Sequence, residues 1–479
     1  MLFSDLFFLY VFLPAFFALY FFAWGADQNR CGKIPSQIAT GDAKERLREA
    51  PFYRNLVIIA FSLIFYAWGE PVYILLLLAA VMISFFCAKN RWEPAGIIIL
   101  LLMLIFFKYG NLIQQTAVSF GLLSAKETID IHLPIGISFY TFQAISYLAD
   151  ARRGRCEAQK DFYKLLLYLS MFPQLIAGPI VRYTDVEVNI NERSTKESDI
   201  AVGLERFIIG LSKKVILADS LSAIVSQTLG GDLTNLSTGL AWLGLIAFSL
   251  QIYFDFSGYS DMAIGMGRCM GFTFPENFIK PYLCTSVTDF WRRWHMTLGT
   301  FFRDYVYIPL GGNRTSWWKR IRNILIVWML TGFWHGASWN YLIWGLYFGL
   351  WLLLEKATIF RKDKNEKTGV FGFVWRCVAV VAAVVGWGIF YFEDFGAMRQ
   401  FFALLFGGNI VSGDMMLWSL LSQNIILLAA SVFCCLMPRE KVVDRFYEPL
   451  RIAATVAMLV VSTLLLVGAT NHPFLYTRF

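Results

Sequence analysis

The chain has 479 residues, of which 57% are hydrophobic, 17% aromatic and only 16% charged. This composition excludes an ordinary soluble globular protein, and apolar runs of spanning length recur from end to end, so the sequence predicts a polytopic α-helical membrane protein. The formal net charge of +8 is accounted for by basic cytoplasmic loops and implies no nucleic-acid partner. The cysteines show no CxxC or Cys/His spacing, so we expect neither a disulfide nor a bound metal.

The first third of the chain is predicted as regular spans joined by loops of alternating charge. Residues 1–24 lack a basic start and a small-residue cleavage site, which favours a retained first helix over a signal peptide. Basic residues between 27 and 54 place that loop in the cytoplasm, and the N-terminus is therefore outside. Further helices are predicted at about 55–68, 72–88, 94–112 and 133–150.

The middle of the chain is less regular. The stretch 165–183 contains two prolines and a glycine where an uninterrupted helix would not place them, which indicates either a re-entrant, broken segment or two short interfacial helices. A helix over 200–217 follows, and then a long span from 239 that carries Asp255 and Asp261. These carboxylates either pair within the bundle, as their helix-end neighbours favour, or belong to a site.

Residues 285–345 carry the strongest functional signals. Large side chains recur at helical spacing over 285–302, which predicts one amphipathic interfacial helix. Its apolar face would comprise Trp291, Trp294, His295, Leu298 and Phe302. The chain enters the bilayer again at about 323, which places His335 roughly 18 Å deep at 1.5 Å per residue. Glycines at 332 and 336 predict a helix that loosens there and lets a ligand approach the imidazole.

The last third alternates simply between spans and loops. The chain returns over 341–355, and spans are predicted at 370–391, 415–437 and 452–468, which leaves the C-terminus outside. No internal repeat and no long linker is visible. The whole chain, 1–479, is therefore predicted as one membrane-embedded domain.

His335 is the first candidate for chemistry, because an ionisable residue deep in a span is expensive. A neutral imidazole there can remove a proton from a hydroxyl as its oxygen attacks an activated carbonyl. The alternative is a histidine that is hydrogen-bonded within the bundle. His295 either belongs structurally to the edge of its helix or reaches the same cavity to orient substrate and assist proton transfer. His132 and His472 are predicted at the surface or the interface.

A group of basic residues lies on the predicted cytoplasmic side of His335. Its members are Arg292, Arg293, Arg303, Lys319 and Arg320. Such side chains can hold the phosphates of a nucleotide-bearing donor, although positive-inside topology also predicts much of the pattern. The sequence has no P-loop and no GxSxG elbow, so ATP hydrolysis and serine-hydrolase chemistry have no support.

Several long motifs carry a family resemblance over nearly the whole chain. They are LPIGISFYTFQAISYLAD, FPQLIAGPIVRYTDV, YFDFSGYSDMAIGMGRCMGF, FWRRWHMTLGTFFRDYVYIPLGGNR, LTGFWHGASWNYLIWGLYFG and the tail HPFLYTRF. In this order they resemble the membrane-bound O-acyltransferase family, and within it the bacterial branch of alginate O-acetylation membrane subunits.

The resemblance implies a funnel-shaped bundle of roughly 11 to 13 helices in which a cytoplasmic acetyl donor and an external acceptor meet at a central tunnel. The principal histidine of the family maps onto His335, and its second polar position maps onto His295. Acetyl-CoA is then the expected donor, with no permanently bound cofactor.

The resemblance therefore predicts a plasma-membrane O-acetyltransferase that decorates an exopolysaccharide or cell-wall glycan through an extracytoplasmic partner. His335 would be the general base, and His295 would position and polarise. Two other classes stay open at this point: a transporter that uses His335 as a proton relay, and a non-catalytic scaffold for a polysaccharide synthase.

Overall fold

The computed structural model describes residues 1–32, 51–358, 370–437 and 448–468, which fold as helices joined by short connections and include no β-strand. The all-α prediction is confirmed. The predictions made for the loop residues 33–50, 359–369 and 438–447, and for the tail 469–479 with His472, lie outside the described residues.

The helices of the first half are bounded as follows. A π-helical turn, Phe8–Phe12, leads into α1. The helices are α1 Leu13–Gly32, α2 Phe52–Gly69, α3 Ile74–Lys89, α4 Glu93–Ser119, α5 Ile137–Arg152, α6 Phe162–Ser170, α7 Phe172–Leu175, α8 Tyr183–Asn191, α9 Glu197–Ser212 and α10 Asp219–Thr228. A π-helical turn, Lys213–Ala218, joins α9 to α10.

The second half begins with a helix of 32 residues. Its helices are α11 Thr238–Cys269, α12 Val287–Arg293, α13 Met296–Phe302, α14 Trp317–His335, α15 Trp339–Thr358, α16 Val370–Tyr391, α17 Phe395–Ala403, α18 Met415–Leu436 and α19 Glu448–Gly468.

Seven helices in the described part of the chain are long and apolar enough to cross a membrane. They are Phe8–Asn29, Phe52–Gly69, Glu93–Ser119, Thr238–Cys269, Val370–Tyr391, Met415–Leu436 and Glu448–Gly468. Each matches a span expected from the sequence to within a few residues at most ends. In a bilayer core only helices of this kind satisfy their own backbone groups, so the chain is built as a multi-pass membrane protein.

The proline-rich stretch 165–183 is broken, as predicted. Helix α6 stops at Ser170, α7 is a single turn with Pro173 in its first positions, and Gly178 has a φ of +98°. Phe172 donates its backbone N–H to the Ser62 hydroxyl at 3.0 Å. Nearly every residue of the stretch is buried. This is the setting in which irregular backbone is tolerated at membrane depth.

The described chain divides into two compact units. One comprises Met1–Leu211 and Tyr259–Glu276 with residues 466–468. In it, Arg206 lies 2.8 Å from the carboxylate of Asp261 and 2.5 Å from that of Glu276. Asp261 is therefore a structural ion-pair partner, which is the alternative that the sequence favoured.

The other unit comprises Ser212–Gly258 and Asn277–Leu465. Here the ammonium of Lys214 lies 2.6 Å from Asp255 and 2.8 Å from Asp219, and the Lys214 side chain is 2% exposed. Asp255 is thus also structural. Its neighbours do not end the helix, because α11 continues to Cys269.

The prediction of one helix over 285–302 is wrong. Helix α12 stops at Arg293, and His295 adopts a left-handed conformation with φ 44° and ψ 53° before α13 begins. A non-glycine residue there costs about 1–2 kcal/mol relative to a right-handed one. The residues assigned to one face consequently lie on two short helices, and the break decides where the His295 ring points.

The glycines around His335 serve close packing between α14 and α15. A Cβ on Gly332 would collide with the Tyr341 carbonyl oxygen, and one on Gly336 would collide with the Tyr341 ring. Helix α14 does end at His335, and Gly336 is extended. The expectation that these glycines open the helix to a ligand is therefore replaced by a packing role.

Candidate active site

His295 is buried and forms a hydrogen bond with Asn277, which lies in the segment that precedes α12. Its side chain is 2% exposed, and its Nδ1 lies 3.0 Å from Oδ1 of Asn277. The same Oδ1 accepts a hydrogen bond of 2.9 Å from the Thr297 hydroxyl. Asn277 is itself 1% exposed, so this small polar group is sealed inside the unit.

Backbone hydrogen bonds fix the left-handed turn at His295. Met296 donates its N–H to the Asn277 carbonyl at 3.0 Å, and Ile279 donates to the Arg293 carbonyl at 3.0 Å. These two bonds clamp the strained turn from both sides. A left-handed backbone conformation is sparsely populated for residues other than glycine, and it persists here because the surrounding hydrogen bonds hold it.

His335 lies at the C-terminal end of α14 and is 2% exposed. Its ring centroid lies 4.8 Å from that of Trp334, 4.9 Å from Trp344 and 5.2 Å from Phe390. Asn340 donates to the backbone carbonyl of Phe390 at 3.3 Å, which ties the start of α15 to the end of α16. Three elements therefore fix the position of the imidazole.

One indole contacts both histidines. The ring of Trp334 lies 5.6 Å from His295 and 4.8 Å from His335, measured between centroids. The structure thus brings the two candidate residues together across a single side chain. Phe256 and Phe278 complete the ring contacts of His295, at 4.7 and 6.5 Å.

Burial governs the electrostatics of His295, which lies outside the seven candidate spans. Removal from water lowers its pKa below the usual range for histidine. The imidazole is therefore neutral at physiological pH. A neutral imidazole has one N–H donor and one nitrogen acceptor.

Helix α12 is positioned by a buried carboxylate on α15. Glu355 is fully buried and accepts the backbone N–H of Val287 at 2.7 Å and that of Thr288 at 2.9 Å. A carboxylate at a helix N-terminus satisfies amides that have no intrahelical partner. Trp291 then packs against Trp328 of α14, at 4.8 Å.

The five predicted phosphate-binding residues do not form one group. Arg293 lies 3.0 Å from Asp289, and Arg303 lies 2.7 Å from Asp304, so these two guanidiniums are already paired. Lys319 is exposed on the first turn of α14. Arg292 and Arg320 both lie near Lys356, whose pKa they lower.

Arg292, Arg320 and Lys356 form what we call the cation cluster. Burial, and then the neighbouring guanidiniums of Arg320 and Arg292, lowers the pKa of Lys356. The Lys356 ammonium and the Arg320 guanidinium also lie over aromatic rings, at 5.7 Å in each case. None of the three makes an ion pair among the described residues, because Glu355, the neighbouring carboxylate, caps α12.

Sequence reasoning missed Asn277, Glu355 and Lys356. Nothing in the spacing connects Asn277 to a histidine 18 residues later, because a turn rather than a helix brings them together. Lys356 directly follows the span predicted at 341–355, where basic residues are expected of a cytoplasmic loop. His132, by contrast, lies at the surface as expected, with 62% of its side chain exposed beside Glu70.

No group of three or more His, Cys, Asp or Glu side chains placed to hold a metal occurs in the described part of the chain. The arrangement instead offers two buried imidazoles among aromatic rings, and a separate set of cations. Arg320 and His335 are fifteen residues apart on α14, a rise of about 22 Å.

Comparisons with known proteins identify the family of the chain. The model of the membrane-bound O-acyltransferase family matches residues 155–391. The chain is 38% identical over 422 residues to a probable alginate O-acetylase of Pseudomonas aeruginosa, covering 85% of this chain and 75% of that protein. It is 34% identical over 398 residues to a peptidoglycan O-acetyltransferase of Helicobacter pylori, covering 74% and 71%.

A teichoic acid D-alanyltransferase of Bacillus subtilis is 34% identical over 272 residues, covering 55% of this chain and 67% of that protein. The three relatives transfer acyl groups, and the matched family region contains both buried histidines and all three members of the cation cluster. The chain is an enzyme that belongs to the membrane-bound O-acyltransferase family.

Proposed function

We propose that this enzyme transfers acetyl from cytoplasmic acetyl-CoA, across the cell membrane, to a hydroxyl of an extracytoplasmic polysaccharide. The observation that carries the proposal is the pair of buried imidazoles, His295 and His335, in contact with the same indole of Trp334. The names of the relatives, which include a probable alginate O-acetylase and a peptidoglycan O-acetyltransferase, support acetyl as the group and a glycan as the final acceptor.

In the proposed reaction, His335 is the general base. Its neutral imidazole takes the proton of the acceptor hydroxyl while that oxygen forms a bond to the thioester carbonyl carbon. The tetrahedral intermediate then collapses, the carbon–sulfur bond breaks, and the leaving thiolate takes the proton back from the imidazolium. The products are an acetyl ester and free CoA, and the base is regenerated.

The cation cluster is the proposed site for the phosphates of the donor. Its guanidinium and ammonium groups have no carboxylate partner in the part of the chain that the structure describes, and Arg and Lys bind phosphate oxygens through charge-assisted hydrogen bonds. Because the thioester of acetyl-CoA stands at the end of a long flexible arm, phosphates at the cluster are compatible with a thioester near His335.

The proposed reaction also implies a membrane topology and a set of partners for the enzyme. Both termini lie outside, and an extracytoplasmic acetyltransferase or acceptor protein receives the acetyl group before it reaches the exopolysaccharide. Membrane lipid surrounds the spans, and no nucleic acid takes part.

The proposal is tested with sealed membrane vesicles whose cytoplasmic face points outward. Acetyl-labelled acetyl-CoA is added outside, and alginate or peptidoglycan fragments are trapped inside. We expect ester-linked label on the trapped glycan with the wild-type chain and none with His335→Ala. Label that enters without a covalent product would favour a transporter, and equal labelling by both proteins would favour a scaffold.

A further inference from the structure

The hydrogen bond between Asn277 and His295 determines which ring nitrogen of His295 carries the proton. The Thr297 backbone N–H, which can only donate, lies 3.5 Å from the Asn277 side-chain atom that also receives the Thr297 hydroxyl. That atom is therefore the amide oxygen, an acceptor. The His295 Nδ1 facing it at 3.0 Å must then donate.

This leaves His295 with an acceptor nitrogen only. A neutral imidazole carries a single N–H, and here Asn277 receives it, so Nε2 presents a lone pair. A hydrogen-bond acceptor engages a hydroxyl and has nothing to donate to an acyl carbonyl. The expectation that His295 polarises does not fit this tautomer if it means donating a hydrogen bond to the acyl carbonyl.

We infer that Asn277 is a positioning residue that holds His295 as a hydrogen-bond acceptor for the hydroxyl-bearing acyl acceptor, and not for the acyl donor. This inference rests on the proposed function and refines it. The left-handed turn also keeps the His295 ring beside Asn277. The backbone hydrogen bonds from Met296 to Asn277 and from Ile279 to Arg293 hold the two segments together. Partners that orient an imidazole and select its tautomer are a recurrent device in catalysis.

Among the described residues, Asn277 and the rings of Phe256, Phe278 and Trp334 contact the His295 ring. None of them titrates in the accessible pH range. A charge introduced at position 277 should therefore act on His295 without competition from these neighbours.

The test measures acetyl transfer in sealed membrane vesicles from cells that also carry the extracytoplasmic partner, with acetyl-CoA outside and alginate or peptidoglycan fragments inside, for three variants. Asn277→Leu removes the acceptor of the Nδ1 proton and is expected to raise KM for the glycan about tenfold or more while KM for acetyl-CoA stays unchanged. Thr297→Val is the matched control, because it removes the second hydrogen bond to Asn277 but leaves His295 untouched. It should stay within about threefold of wild type.

Asn277→Asp adds the pH dependence of activity as a second measurement. A residue that only supports the fold would not be expected to change it. A carboxylate favours the charged imidazolium and so raises the pKa of His295. Protonated Nε2 can no longer accept, so activity should be lost at a higher pH on the acid side than in the wild type.

Two outcomes would overturn the inference. One is an Asn277→Asp profile with the wild-type acid limb, and the other is loss in Asn277→Leu that affects both substrates equally and matches its loss of melting temperature. His335→Ala is assayed in parallel. If it is inactive while the Asn277 variants behave as wild type, only this inference fails. If it is fully active, the proposed function fails.

Discussion

Buried polar groups in this protein occupy two contrasting settings. Within the helices, Lys214 lies between Asp255 and Asp219, at 2.6 and 2.8 Å, so charge meets opposite charge. Around the candidate active site, His295 meets an amide and aromatic rings, and the cation cluster meets no carboxylate among the described residues.

The first setting contains charges that stabilise the helix bundle, and the second contains groups that are suited to bind a substrate. An uncompensated charge away from water costs several kcal/mol, so structural ions come with counter-ions. Cations that lack one are suited to a substrate that brings its own negative charge. Changes in the first setting should therefore damage folding, and changes in the second should damage kinetics.

The largest effect is expected at Lys214. Lys214→Met strands the buried carboxylate of Asp255 and the partly buried carboxylate of Asp219, and we expect a loss of about 3–5 kcal/mol of folding stability. The melting temperature of the detergent-solubilised protein measures this loss, and activity per folded molecule should stay near that of wild type.

Lys164→Met is the matched control for that change. Lys164 pairs with Asp161 at 2.9 Å, but the Asp161 side chain is 49% exposed. We expect a change of less than about 1 kcal/mol. Equal melting temperatures for the two variants would remove the distinction between buried and surface pairs.

A smaller effect is expected from the cation cluster. The double variant Arg320→Gln, Lys356→Gln should raise KM for acetyl-CoA about tenfold, equivalent to about 1.4 kcal/mol, because phosphate contacts are lost. The difference from wild type should shrink as salt is added, since dissolved ions screen charges that remain partly open to water. An unchanged KM would show that the donor binds elsewhere.

The smallest effect is expected at Arg303, although sequence alone grouped it with the other cations. Its side chain is 59% exposed and already paired with Asp304. Arg303→Gln should change KM for acetyl-CoA less than about twofold, as exposed ion pairs contribute little. A tenfold rise in the same assay would return Arg303 to the donor site.

The sequence predicted most of the fold because apolar length and loop charge are local signals. Helix α16 occupies Val370–Tyr391, the residues predicted for it. The break at His295 was missed because large side chains continue at helical spacing on both sides of it. The left-handed turn depends instead on hydrogen bonds with Asn277 and Ile279, which lie beyond the reach of helical spacing.

The candidate site was predictable in part for the same reason. His335 and His295 stand out because a histidine in apolar sequence is costly. Asn277 carries no such signal, and its role comes from tertiary contacts alone. Asp255 shows the converse case. Its sequence allowed a role in a site, but the structure pairs it with Lys214, so its role is structural.

The most direct test of the account is the acetyl content of an exported glycan in cells that carry the wild-type chain, His335→Ala or His295→Ala, with membrane levels matched by blotting. Alkaline release of acetate reports the ester content. The account predicts no acetate above background with His335→Ala and a partial loss with His295→Ala. Normal acetate in both variants would contradict it, because the chemistry would then lie elsewhere in the protein or in a partner.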